Sequence, residues 1–226
     1  MSNRPPPAEP TSGPRTASMP HRLSQLYIGL MLYGLSIALM VRGDLGLMPW
    51  SVLDQGVSLQ VGWSLGVTSI ATSVVVLLLW LPLRQRPGFG TVSNVIVIGV
   101  SLDLALWLLP DVDSLALRIA LMVAGVVMNG VATALYIGAS FGPGPRDGLM
   151  TGLTARTGWS VRLVRTSLEV AVVASGWLLG GTVGVATVLY ALAIGPLVQV
   201  CLPRMTRTSR RAARVSPAVA DAAVAP

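Results

Sequence analysis

The sequence predicts an all-α polytopic membrane protein: six transmembrane helices as a 3+3 inverted repeat, each repeat with a short broken or re-entrant helix after its first span. Three observations lead there. Charged residues make up only 11% of 226 residues, hydrophobic residues make up 53%, and mean hydropathy is +0.70. A soluble domain carries about 25% charged residues, so too few charges exist here to cover a water-facing surface. The apolar content is equally too high for a disordered chain. Second, six apolar stretches approach the roughly 20 residues a helix needs to cross a bilayer. Third, the chain matches itself at an offset of 96 residues.

The stretches are Leu23–Val41, Leu65–Leu83, Phe89–Leu109, Leu115–Ala139, Val161–Leu179 and Val183–Leu202. None shows the period-two alternation of a membrane barrel. Residues 1–22, with their Pro, Ser, Thr and Ala, read as a disordered cytoplasmic tail. The apolar core after Arg22 is too long for a cleaved signal and reads as an anchor. Residues 23–204 form the membrane domain, as repeats 23–109 and 115–204. Residues 205–226 read as a basic, disordered cytoplasmic tail suited to an anionic leaflet.

Arginine alternates along the loops. The N-terminal flank has Arg15 and Arg22, the loop after the second stretch Arg84 and Arg86, the region after the fourth Arg146, Arg156, Arg162 and Arg165, and the tail is rich in arginine. The intervening loops are poor in net positive charge: Arg42 is offset by Asp44 and Asp54, and the third loop has Asp111 and Asp113. The positive-inside rule then gives a multi-pass protein of a bacterial inner membrane with both termini cytoplasmic. The same clustering argues against nucleic acid as the partner of the +7 charge. All 16 basic residues are arginine, to which we attach no functional meaning.

Within the repeat, Gly29, Gly34, Ala38, Leu39, Gly46, Pro49, Leu53, Gly56, Gly62, Trp63 and Ser64 recur 96 residues later as Gly125, Gly130, Ala134, Leu135, Gly142, Pro145, Leu149, Gly152, Gly158, Trp159 and Ser160. Gly88, Thr91, Val92, Ile98 and Gly99 recur as Gly184, Thr187, Val188, Ile194 and Gly195. Each unit holds three spans, and an odd number makes the second copy enter from the opposite face. Such repeats recur in transporters, with the site at their interface.

The matched breakers are the most informative places. After a glycine, Pro49 and Pro145 stand where a missing N–H costs nothing, in the first turn of a new helix. Each new helix ends by Gly62 or Gly158, too short to span a bilayer. One reading is a pair of half-helices whose N-terminal N–H groups face a buried polar pocket, which favours a small solute with an anionic group. The other is a pair of connectors lying flat, anchored by Trp50, Trp63 and Trp159. On the first reading Pro145, Arg146, Asp147, Trp50, Ser51 and Asp54 are substrate-binding candidates.

Ionisable residues at membrane depth are costly and default to functional candidates. Asp103, its repeat mate Gln199, and Glu169 are candidates for proton or ion coupling. Glu169 also stands one turn past Arg165, so a structural ion pair Arg165–Glu169 is the alternative. Asn94 and Asn129 suit interhelical hydrogen bonds. The single histidine, His21, and the single cysteine, Cys201, leave no metal cluster, disulfide or Ser-His-Asp arrangement to expect. With no nucleophile–base pair in view, neither enzyme activity nor a cofactor is expected.

GPGPRDGLM (142–150), TGWSVRLVRTSLEV (157–170), GWLLGG (176–181) and GLMPWSVLDQGVS (46–58) together resemble the bacterial YczE/YitT-type membrane protein family. The resemblance runs from about Arg22 to Arg204 and implies a small multi-helix inner-membrane protein. It implies an acid directly after Pro-Trp, where this chain has Ser51, while the repeat mate Asp147 keeps the acid. The family supplies no substrate. The expected function is therefore a small transporter or channel-like protein with its site between the repeats. The alternative is a non-transporting module that binds or regulates a partner protein. Small-residue faces also permit a homodimer.

Overall fold

The computed structural model describes residues 18–206, and among them every regular element is an α-helix. The elements are α1 (Met19–Gly43), α2 (Pro49–Val61), α3 (Leu65–Leu83), α4 (Phe89–Leu108), α5 (Leu115–Ala139), α6 (Pro145–Thr157), α7 (Val161–Leu178) and α8 (Val185–Thr206). The expected tails at 1–22 and 205–226 lie largely outside the described residues. Where they overlap, the helices reach further: α1 starts at Met19 with Pro20 in its first turn, and α8 runs to Thr206. The six expected stretches lie within or along α1, α3, α4, α5, α7 and α8.

Five of these helices are long and apolar enough to cross a membrane: α1, α3, α4, α5 and α8. The sixth, α7, has 18 residues and carries Arg162, Arg165 and Glu169. Valine and leucine crowd the outer faces, among them Val75, Leu78, Val100, Leu104, Leu192 and Val200, each more than half exposed. A water-soluble fold would bury such side chains. The chain is a polytopic all-α membrane protein.

Helix bounds repeat at the 96-residue offset. α5 begins and ends 96 residues after α1, and α6 does so after α2. The local causes repeat too. Ser64 and Ser160 cap α3 and α7, each accepting from the N–H three residues on at 3.2 Å. Gly46 and Gly142 hold φ of 113° and 118°, which side-chain-bearing residues rarely adopt, and so break the chain before each short helix. Gly62 and Gly158, at 73° and 71°, end the short helices in the left-handed conformation.

Packing is reciprocal as well. α1 lies along α5 at the centre, α4 packs on α1, and α8 packs on α5. Each short helix packs on a long helix of the other half, α2 on α7 and α6 on α3. Arg22 donates to the carbonyls of Ala139 and Ser140 at the end of α5, at 3.1 and 3.0 Å. Its mate Arg118 donates to the carbonyls of Gly43 and Asp44 at the end of α1, at 2.9 and 2.6 Å. Gly90 N–H bonds to Phe141 O, and its mate Ala186 N–H bonds to Leu45 O, both at 2.9 Å.

Reciprocity fails at one seam. Gly66 and Gly99 bring α3 and α4 together so closely that a Cβ on Gly66 would stand 2.1 Å from the Gly99 carbonyl oxygen. The mate of Gly66 is Arg162, α7 and α8 do not pack in this way, and Gly195 faces open space.

Candidate functional site

Between α7 and α8, which do not pack closely, lies a cavity of about 120 Å³, with walls from α1, α2, α5, α6, α7 and α8. Tyr33, Met48, Trp50, Tyr136, Arg146, Asp147, Arg165, Glu169, Tyr190 and Gly195 are among its lining residues. A smaller cavity of about 40 Å³ occupies the equivalent place in the first half, lined by Ser69, Ser73, Asn94 and Ile98. Tyr33, Tyr136, Arg146 and Asp147 face both cavities and stand between them. At the 96-residue offset, Ser69, Ser73, Asn94 and Ile98 become Arg165, Glu169, Tyr190 and Ile194. One cavity is thus the enlarged counterpart of the other, with Arg165 and Glu169 added to its wall.

The short helices build the site with their N-terminal ends. In α2 and the residue before it, Met48, Pro49, Ser51, Val52 and Asp54 are buried, whereas Leu59 to Val61 are exposed. In α6 and the residue before it, Gly144, Pro145 and Gly148 to Met150 are buried, whereas Ala155 to Thr157 are exposed. Each helix therefore points its N-terminus inward, where free N–H groups and the helix dipole are concentrated. Trp80 holds one of them in place: its indole Nε1–H donates to Pro145 O at 2.9 Å, and its ring lies against Gly148.

The two N-termini meet. The guanidinium of Arg146 stands 5.0 Å from the ring centre of Trp50, its own repeat mate. It also donates to Asp54 Oδ2 at 3.0 Å. Asp54 is 1% exposed, and the hydroxyls of Ser69 and Thr72 are its other polar neighbours. A cation near a helix N-terminus is unfavourable by itself, and the buried carboxylate offsets it. Asp147, in the first turn of α6 where a carboxylate suits the dipole, accepts a short hydrogen bond from the Tyr136 hydroxyl. Across the cavity, Arg165 Nε–H donates to Glu169 Oε1 at 3.0 Å, one helical turn apart. A polar chain braces the rear wall. Tyr190 donates to Asn129 Oδ1 at 3.0 Å, Asn129 Nδ2–H donates to Ser36 Oγ at 2.8 Å, and Ser36 donates to Tyr33 O at 2.6 Å.

Of the sequence-expected residues, Pro145, Arg146, Asp147 and Trp50 gather at one point. Asp54 stands behind Arg146. Ser51 is buried, and its Oγ finds no hydrogen-bond partner among the described residues. Glu169 lines the cavity and is paired with Arg165, as the structural alternative expects. Asp103 lies elsewhere: it caps α3, accepting from Ser64 Oγ at 2.5 Å and Gly66 N–H at 2.7 Å, and lines neither cavity. Its mate Gln199 is half-buried on α8 and also lines neither. Sequence reasoning misses Tyr33, Tyr136 and Tyr190. A signal is present, because all 4 tyrosines of the chain fall inside apolar stretches, and three of them line the cavities.

The family of unknown function DUF6198 matches residues 20–203. The chain belongs to that family. Its relatives keep most of their length in the match. An uncharacterized protein of Haemophilus influenzae is 40% identical over 185 residues, 82% of this chain and 85% of the relative. The uncharacterized membrane protein YczE of Bacillus subtilis is 31% identical over 180 residues, 79% of this chain and 84% of its own. The uncharacterized protein YyaS of the same organism is 25% identical over 184 residues, 80% of this chain and 92% of its own. These relatives agree with the YczE-type resemblance read from the GPRDG and Pro-Trp elements. No solved structure matches the chain.

Proposed function

We propose that this protein is a small inner-membrane transporter or channel-like protein for a small polar solute, without enzyme activity, and that the solute binds in the α7–α8 cavity. The observation that carries the reading is that the N-terminal residues of two short helices line one cavity together with Arg146, Asp147, Arg165 and Glu169. Paired interrupted helices at corresponding positions mark substrate sites in transporters built from inverted repeats. The matching contacts made by Arg22 and its mate Arg118, and by Gly90 and its mate Ala186, support such a repeat. On this reading α7 is the sixth span, with Arg165 and Glu169 turned to the cavity rather than to lipid. Both termini are then cytoplasmic. The unlike seams, closed at Gly66–Gly99 and open at Gly195, fit one of two states that the halves exchange.

The anionic solute class needs a cation left over in the cavity. Arg146 faces Asp54 and Arg165 faces Glu169, which leaves only the helix N-termini to attract an anion. The test is stopped-flow light scattering of liposomes carrying the full chain, with osmotically driven entry of glycerol, glycine, ethanolamine chloride or sodium acetate. Entry of at least one solute should be faster than in empty liposomes, and Gly195→Phe, which places a ring on the cavity wall, should remove the difference. Equal rates for all four solutes would exclude transport of these solute classes and leave the partner-binding alternative.

A further inference from the structure

Three carboxylates and two guanidinium groups stand at the centre of this molecule: Asp54, Asp147 and Glu169 against Arg146 and Arg165. Two ion pairs account for four of them. The fifth, Asp147, is held by a neutral hydroxyl, that of Tyr136. Among the described residues no cationic group comes within ion-pair distance of it. The α6 N-terminus offsets part of its charge, but a helix end carries only about half an elementary charge.

We infer that Asp147 is the counter-charge for an ammonium group on the solute, so that the cavity takes a small organic cation or zwitterion and not a simple anion. The inference rests on the transport-site reading above and names its ligand class. Surroundings favour this ligand over a bare metal ion. Tyr33, Tyr136 and Tyr190 line the cavity, and aromatic faces attract organic cations. The tyrosine hydroxyls supply acceptors for N–H groups. A space of about 120 Å³ exceeds what one desolvated ion occupies. Asp147 also borders the smaller cavity, so one carboxylate is reachable from both sides of the central barrier. An arrangement that binds the same group from either cavity is what exchange between two states requires.

The experiment is thermal unfolding of the full chain purified in detergent, at fixed ionic strength, titrated with ethanolamine chloride, sodium chloride or sodium acetate. The midpoint should rise saturably with ethanolamine and not with the two sodium salts, because a ligand of the folded state stabilises by mass action. Asp147→Asn should weaken the ethanolamine effect at least tenfold. Should that variant not fold, Tyr136→Phe, which releases the carboxylate from its hydroxyl, should change ethanolamine affinity several-fold while leaving the sodium salts without effect. A saturable rise with acetate, a rise with sodium chloride alone, no rise with ethanolamine, or an undiminished rise in Asp147→Asn overturns the inference. The two readings fail separately. Ethanolamine binding without entry into liposomes removes transport and keeps the site, whereas acetate entry without ethanolamine binding does the reverse.

Discussion

Arg146 shows how a buried charge becomes tolerable only through its neighbours. It lies near a helix N-terminus, where the dipole opposes it, and it is held by Asp54 and by the face of Trp50. Removing one member of a buried pair leaves the other uncompensated and costs about 3–5 kcal/mol, whereas replacing both costs much less. Arg146→Ala is therefore expected to lower the unfolding midpoint strongly. Arg146→Leu combined with Asp54→Asn should recover much of that loss. Thermal unfolding of the single variants and the double variant in detergent checks this, and additive losses in the double variant would show that the contact carries no coupling. Asp103 teaches the complementary lesson. An acid deep in an apolar stretch is here a helix cap for α3, and only its partners in space reveal that.

Helix seams differ because single small residues differ. Gly66 lies against the Gly99 carbonyl, so Gly66→Ala must push α3 from α4, at roughly 1–3 kcal/mol as for other overpacked contacts. A methyl group added at Gly195 would meet nothing within 4 Å, so Gly195→Ala should change the unfolding midpoint little. Comparison of the two midpoints measures the asymmetry directly, and equal losses would show that the α7–α8 opening is not a feature of the protein in solution. The short helices are legible in the chain from Pro49, Pro145, Gly62 and Gly158, since each residue acts on its own backbone. Their inward direction is not legible. Flat-lying connectors and half-helices share the same capping residues, and only the burial of Pro49 and Pro145 against the exposure of Leu59 and Ala155 separates them.

At the scale of the whole molecule, the proposed inverted repeat, with three spans per half, places the two short helices toward opposite faces of the membrane. In a Cys201→Ser background, Gln60→Cys and Ala155→Cys place a reactive thiol at the exposed end of α2 and of α6. An impermeant maleimide added to intact cells should label Gln60→Cys, and Ala155→Cys should react only after the membrane is opened. Labelling of both from the outside would remove the inverted arrangement and the six-span topology with it. The repeat is visible in the sequence because Gly, Pro and Trp serve backbone and interface needs that recur wherever the fold recurs. The reciprocal contacts of Arg22 and Arg118 that tie the halves together are not visible there. Along the chain these two residues show only as a flanking charge and an arginine near a helix start.

The sequence by itself determined the solvent and the elements. Apolar length sets which helices can lie in lipid, and glycine and proline set where they stop, both through forces that act within about a turn of chain. Tertiary structure decided the site. Asp54 meets Arg146 across 92 residues, Tyr190 meets Asn129 across 61, and the cavity opens at the seam where Arg162 stands in place of the other half's glycine. Charge balance in a low-dielectric interior depends on which groups come within a few ångströms of one another, and chain order does not record that distance.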